Sequence, residues 1–291
     1  MRRPRSTKLW ALVLVLVCTE RAEAQDYPPD IEGARVETFK TVGGVDLKAW
    51  LLSPEGHQAS DSRPAMVFFF GGGWVTGTPA HFERQARALA DRRMVAVLAD
   101  YRVLNRHGTR PDAAVRDAKS AVRWVRAHAS ELGIDPRRIA AGGGSAGGHL
   151  AAATATVPGF DEPGEDAGVS SAPNALVLFN PAVVIAPADG LWEVPARQSE
   201  RFGGLSLFAL SPFHHLKEGM PPTLVLHGSD DQVVPMRTVV AFCDRVVELG
   251  GECELVRYES AGHAFFNNDP YYGPTLRRMI SFFESLGWIG S

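Results

Sequence analysis

The stretch Gly143-Gly144-Ser145-Ala146-Gly147 sets a hydroxyl among small residues, as a nucleophile on a tight strand-to-helix turn requires, because larger neighbours would clash around it. The same letters satisfy G-x-G-x-x-G at Gly142, Gly144 and Gly147, the spacing with which a backbone approaches a dinucleotide pyrophosphate. A third reading is structural, a glycine-rich turn in which Ser145 starts a helix and accepts an N–H bond as an N-cap. This stretch alone leaves all three open.

Later residues separate them. Attack by serine needs a base to take its proton and a group to orient that base. After an apolar run at Thr223 to Leu226 comes His227-Gly-Ser-Asp-Asp-Gln-Val-Val-Pro235, which places Asp230 and Asp231 at a predicted strand end. Further on, Ser260-Ala-Gly-His263 supplies an imidazole in a loop between the last predicted strand and helix. The order serine, aspartate, histidine fits nucleophilic catalysis by Ser145 with His263 as its general base. A dinucleotide site explains neither later stretch. Upstream, Phe69-Phe70-Gly71-Gly72-Gly73-Trp74 follows another apolar run, and its glycines let backbone N–H groups approach a developing oxyanion together with the N–H of Ala146.

Such a constellation needs elements that end side by side. The runs Ala65 to Phe70, Met94 to Ala99, Arg138 to Ala141, Ala175 to Phe179, Thr223 to Leu226 and Glu254 to Tyr258 are short and bounded by Gly, Pro or Asp, as buried parallel strands are. Two earlier strands, Arg35 to Val42 and Asp46 to Leu52, flank a Gly43-Gly44 hairpin turn. The clearest helix spans about Asp112 to Ser130, with Ala114, Val115, Ala118, Ala121, Val122 and Val125 on one face and Arg116, Lys119, Arg123 and Arg126 mostly elsewhere. Further helices are predicted at His81 to Asp91, Ser145 to Thr156, Met236 to Leu249 and Pro274 to Leu286. The alternation predicts a single α/β domain. Excursions at about 157–174 and 182–211 break the rhythm and read as functional loops or a small lid.

With these motifs in place, the chain resembles the bacterial acetyl esterase/lipase relatives of hormone-sensitive lipase, and exported α/β-hydrolases such as acetylxylan and feruloyl esterases. The likeness runs from Gly71-Gly72-Gly73-Trp74 through Asp100-Tyr101-Arg102, Gly143 to Gly148 and His227 to Pro235 to Gly262-His263. It implies an α/β-hydrolase fold, with a mainly parallel eight-stranded sheet and helices on both faces. It also implies Gly72 and Gly73 as oxyanion donors and Asp231 as the acid partner of His263, with Asp230 the adjacent alternative. The implied substrates are short-chain or aromatic esters, free or on plant and algal polysaccharides. The family usually carries histidine before the glycines, where this chain has Phe70, so support for that loop must come from elsewhere.

Composition narrows the setting. An apolar content of 45% over 291 residues suffices for a full core. A charged start, a ten-residue apolar run from Leu9 to Cys18 and Ala22-Glu23-Ala24 read as a signal peptide over residues 1–24, and hence a secreted or periplasmic domain over 25–291. Ten apolar residues are about half of the roughly 20 that span a bilayer, so stable membrane insertion is not expected. Without that segment the formal charge is −6, which argues against nucleic acid as a partner. Only Cys243 and Cys253 then remain, a pair that an oxidising compartment permits to bond.

Other residues receive plainer readings. His81, His107, His214 and His215 show no metal-ligand spacing and read as exposed or locally hydrogen-bonded, so neither a metal nor another cofactor is expected. His149 and Arg102 read as fold-supporting. Trp74 and Trp192, with Phe202 and Phe208, suit either an aromatic wall for substrate or the small core of a lid. A peptidase of the prolyl-oligopeptidase kind shares the His-Gly-Ser-Asp-Asp and Gly-His stretches, but usually carries a further large domain.

Overall fold

The computed structural model describes residues 27–290, so the signal-peptide reading of residues 1–24 lies outside the described residues. The apolar runs become strands β1 (Arg35–Val42), β2 (Val45–Leu52), β3 (Arg63–Phe69), β4 (Val95–Ala99), β5 (Ile134–Gly144), β6 (Ala175–Phe179), β7 (Thr223–Gly228) and β8 (Cys253–Tyr258). They form one sheet in the order β1-β2-β4-β3-β5-β6-β7-β8. The pairs β1/β2 and β2/β4 are antiparallel, and every pair from β4 to β8 is parallel. The expected eight-stranded, mainly parallel architecture is therefore present.

The helices are α1 (Glu83–Ala90), α2 (Leu104–His107), α3 (Pro111–Ala127), α4 (Ala146–Thr156), α5 (Ala196–Phe202), α6 (Leu207–Leu210), α7 (Met236–Glu248) and α8 (Tyr272–Ser285). Alternate strand residues point to opposite faces, so each central strand feeds two cores. On β3, Val67 and Phe69 join the side covered by α3, α4 and α7. Met66 and Phe68 join the side covered by α1 and α8.

Strand β5 is longer than the run Arg138 to Ala141 suggested, because Gly142, Gly143 and Gly144 continue the strand instead of turning. A Cβ on Gly142 would lie 2.2 Å from the carbonyl oxygen of Val177. Glycine here permits close strand packing. The predicted helix from His81 begins as a 3-10 turn over Pro79–Phe82, and α1 follows it.

The apolar face of α3 is buried as its periodicity predicts, but Lys119 and Arg123 are buried too. The 157–174 excursion lies over them. Arg123 bonds Asp161 at 2.6 Å and Glu165 at 2.5 Å, and donates to the Val169 carbonyl at 2.8 Å. Lys40 joins Asp117 at 2.7 Å to Glu162 at 2.6 Å. These acids compensate cations whose unpaired burial would cost several kcal/mol each. None of the described residues 157–174 lines the cavity at Ser145, whereas 182–211 supplies several of its walls. A disulfide joins Cys243 on α7 to Cys253 on β8.

Candidate active site

Ser145 sits between β5 and α4 with φ 54° and ψ −114°, a conformation that costs a non-glycine residue about 1–3 kcal/mol. The turn is so close to β3 that a Cβ at Gly143 or Gly147 would lie 2.3 or 2.0 Å from the Phe69 carbonyl oxygen. Backbone bonds hold it: the Ser145 amide donates to Phe179 at 3.0 Å, and the Ser145 carbonyl accepts from His149 at 2.9 Å. Although Ser145 stands in the N-cap position of α4, its side chain makes no capping hydrogen bond. The hydroxyl lies instead 2.9 Å from Nε2 of His263. That position removes the structural N-cap reading.

On its other side the imidazole meets Asp231, with Nδ1 2.7 Å from Oδ2. The second carboxylate oxygen of Asp231 accepts the amides of Val233 at 2.8 Å and Val234 at 2.9 Å. Burial works to raise the Asp231 pKa. The hydrogen bonds from His263 and from the two amides outweigh it and hold the carboxyl below its ordinary value. Asp230 is exposed and accepts the Ser229 hydroxyl at 2.8 Å, so the neighbouring carboxylate, not this one, faces the imidazole.

The loops carrying Asp231 and His263 are stitched together. The Asp230 amide donates to Ala261 at 3.0 Å, and the Ser260 amide to the Ser229 hydroxyl at 2.9 Å. A Cβ on Gly228 would stand 2.2 Å from the Ala261 carbonyl oxygen. His227 is buried and neutral, its pKa driven down by burial, and its Nε2–H donates to the Val234 carbonyl at 2.9 Å. Asn180, at the end of β6, brings its side-chain amide to 3.5 Å from His263 Nδ1.

The glycine loop after β3 turns back at Gly72 (φ +126°) and Gly73 (φ +63°), where positive φ favours glycine. Among the described residues the amides of Gly72, Gly73 and Ala146 find no acceptor. The loop support that Phe70 cannot give comes from His81, whose Nδ1 accepts the Gly71 amide at 3.1 Å. Burial lowers the His81 pKa to about 4, so the ring is neutral with its proton on Nε2. The sequence reading of His81 as a plain histidine missed this role, because the partner lies ten positions upstream on a different element. The Tyr101 hydroxyl adds a bond to the Phe70 carbonyl at 2.8 Å, and the two rings stack at 4.0 Å.

A cavity of about 410 Å³ opens over Ser145 and His263, walled by Val184, Ile185, Trp192 and Arg201. Trp74 lines it as well, but is only 5% exposed and packs edge-on against His149 and Phe202. One tryptophan is thus both core and wall. Phe202 is buried, while Phe208 is 52% exposed. His149 supports the excursion, its Nε2 meeting the Leu210 carbonyl at 2.7 Å. Among the described residues no cluster of three or more His, Cys, Asp or Glu could hold a metal, and no helix is long and apolar enough to cross a membrane.

Comparison with known proteins places this geometry. Residues 66–267 match the family model described as the alpha/beta hydrolase fold. A probable isoprenylcysteine alpha-carbonyl methylesterase of Arabidopsis thaliana is 30% identical over 72% of this chain and 48% of its own length. A probable carboxylic ester hydrolase of Mycobacterium tuberculosis is 32% identical over 64% of this chain and 45% of its own. The chain spans about half the length of these relatives. Among solved structures, the apo form of Thermogutta terrifontis esterase 2 is 46% identical with a TM-score of 0.87, covering 91% of this chain and 99% of that one. The same esterase phosphorylated by paraoxon is 43% identical at a TM-score of 0.85, over the same shares of the two chains.

Proposed function

We propose, from the premise that this chain belongs to the α/β-hydrolase family, that it is a serine carboxylesterase with Ser145 as nucleophile, His263 as general base and Asp231 as the group that orients it. The observation that carries the reading is the unbroken chain of hydrogen bonds from hydroxyl to imidazole to carboxylate, at 2.9 and 2.7 Å. Esterase relatives and esterase neighbours support it.

Ser145 Oγ attacks the ester carbonyl carbon while its proton passes to His263 Nε2. Asp231, kept ionised by its hydrogen bonds, holds the Nδ1–H tautomer and stabilises the imidazolium. The carbonyl oxygen becomes an oxyanion that takes hydrogen bonds from the amides of Gly72, Gly73 and Ala146. Losing one such donor typically costs about 100- to 1000-fold in turnover. The imidazolium then protonates the alcohol oxygen as the C–O bond breaks, leaving an acyl-Ser145. Water, deprotonated by the same imidazole, attacks that acyl carbon. The acid departs and Ser145 recovers its proton.

The cavity is small and its walls largely apolar, which suits short acyl chains or one aromatic ring. The neighbour esterase with butyrate bound fits the same size class. Esters carried on polysaccharides, and export of the enzyme to reach them, extend the proposal on the strength of the family resemblance. The test is turnover of acetyl, butyryl and feruloyl esters and of acetylated xylan, with Ser145→Ala as control and paraoxon as covalent probe. Rapid cleavage of short esters, a phosphoryl adduct on Ser145 and a folded but inert Ser145→Ala are expected. An unchanged rate in that variant would refute the assignment.

A further inference from the structure

Arg201 stands near the end of α5 and lines the cavity that holds Ser145. Its guanidinium is seated against the oxyanion loop: a Cβ built on Gly73 would lie 2.7 Å from Nη1 and 3.4 Å from the guanidinium carbon. Glycine at position 73 therefore does two things. It permits the positive φ of the loop, and it leaves the space in which this cation sits.

Among the described residues the guanidinium is also without a partner. The arginines buried against the sheet are paired, Arg102 with Asp117 and Arg123 with Asp161 and Glu165. Arg110 donates to the Phe202 carbonyl at the end of the same helix. The Arg201 side chain makes no hydrogen bond or ion pair with any described residue. Glu193 and Glu200 stand close in sequence, are exposed, and pair with no described cation. Among the described residues that line the cavity, only His263 and Arg201 are ionisable, and no carboxylate is among them. A cation held in a mainly apolar cleft without its counter-charge is a recognition group for an anion, and the planar fork of arginine matches a carboxylate.

We propose that Arg201 selects esters that carry a free carboxylate a few bonds from the scissile carbonyl, such as monoesters of short dicarboxylic acids. This rests on the carboxylesterase reading and adds a substrate class to it. The ester carbonyl lies at Ser145 and the amides of Gly72 and Gly73, and the free carboxylate of the same molecule reaches the guanidinium beside Gly73. The carboxylate takes no part in bond making and breaking. Its pairing with Arg201 lowers KM and aligns the carbonyl for attack.

The test compares kcat/KM for p-nitrophenyl hemiglutarate with that for neutral p-nitrophenyl valerate, and for 4-acetoxybenzoate with phenyl acetate, so that a carboxylate on the acyl or the alcohol side is read separately. Wild type, Arg201→Gln and Arg201→Lys are measured. We expect a preference of about tenfold or more for the anionic ester in one of the two pairs, lost in Arg201→Gln and partly kept in Arg201→Lys. The quantity read is the ratio within a pair. An equal fall for both members, or a ratio the same in wild type and Arg201→Gln, overturns the proposal. Calorimetric titration with glutarate gives a reading that does not need turnover: wild type binds it and Arg201→Gln binds at least about tenfold more weakly. If no ester is cleaved by wild type, the carboxylesterase reading fails while glutarate binding still decides the role of Arg201.

Discussion

His81 accepts the Gly71 amide on its Nδ1 at 3.1 Å, and through that one bond a buried neutral imidazole fixes the start of the loop whose next two residues, Gly72 and Gly73, line the cavity with Ser145. The ring is packed near Phe82 and Phe266 and does not itself line the cavity, so its effect is on position. His81→Phe should lower kcat about tenfold, within the range for partial loss of an oxyanion donor, and leave KM nearly as it was. His81→Asn, whose Oδ1 can take the place of Nδ1, should restore much of the rate. Steady-state kinetics on butyryl ester checks both; a matched loss of stability and rate that Asn does not repair would count against a positioning role.

Two adjacent carboxylates offer a sharper contrast. Asp231 faces His263 at 2.7 Å, while Asp230 is bound to the Ser229 hydroxyl and open to water. Asp231→Asn should cost about 10⁴-fold in kcat, because an amide there favours the wrong imidazole tautomer. Asp230→Asn should stay close to wild type. Equal losses in the two variants would mean that the loop geometry, not the carboxylate at the imidazole, is what the rate senses.

How much of this could be read from residues alone depends on whether the partner is near in sequence. Ser145 with its glycines, the aspartates after His227 and His263 are legible because each motif is local and sits at a strand end. The sheet is legible for the same reason, since short apolar runs bounded by breakers cannot hide. The far end of strand β5 is not legible, because glycine usually signals a turn, whereas Gly142 lets β6 approach. His81, Asn180 and Arg201 carry no local signature. Their roles exist only after β3, β6 and α5 are brought to one end of the sheet, and no spacing rule links them beforehand. Lys119 and Arg123 lie off the apolar face of α3 as the spacing places them, but their burial depends on the distant acidic 157–174 segment that covers them, which no local spacing reveals.

The close approach under the nucleophile predicts a steric lesion. A methyl group on Gly147 would meet the Phe69 carbonyl oxygen at 2.0 Å and the Phe70 carbonyl oxygen at 2.5 Å, and both are backbone atoms that cannot rotate away. Gly147→Ala should therefore lower stability by about 3 kcal/mol, at the upper end for overpacking, and lower the melting temperature by several degrees. Gly290→Ala, where nothing lies within 4 Å, is the control. Thermal melts of the two variants measure the difference, and equal melting temperatures would mean that the turn relaxes more readily than its contacts suggest.

Acid should unfold this protein earlier than its carboxylates alone would. Burial lowers the pKa of both His81 and His149 to about 4, against an ordinary value of 6.5, and lowers that of His227 as well. Below about pH 6.5 the unfolded chain binds these protons and the folded one does not, so stability is full above that pH and is lost as the pH falls toward 4. Each of the first two contributes up to about 3 kcal/mol. Asp100 acts the other way, since burial raises its pKa from 3.8 to about 6 and protonation across that range favours the folded state. It offsets about one of the histidines and leaves a net loss. Urea unfolding midpoints at pH 7.5, 6, 5 and 4.5 should fall steadily, and the fall should be shallower in His149→Gln, which has no proton to take up. Midpoints that hold constant down to pH 4.5 would show that these rings titrate in the folded protein much as they do in water.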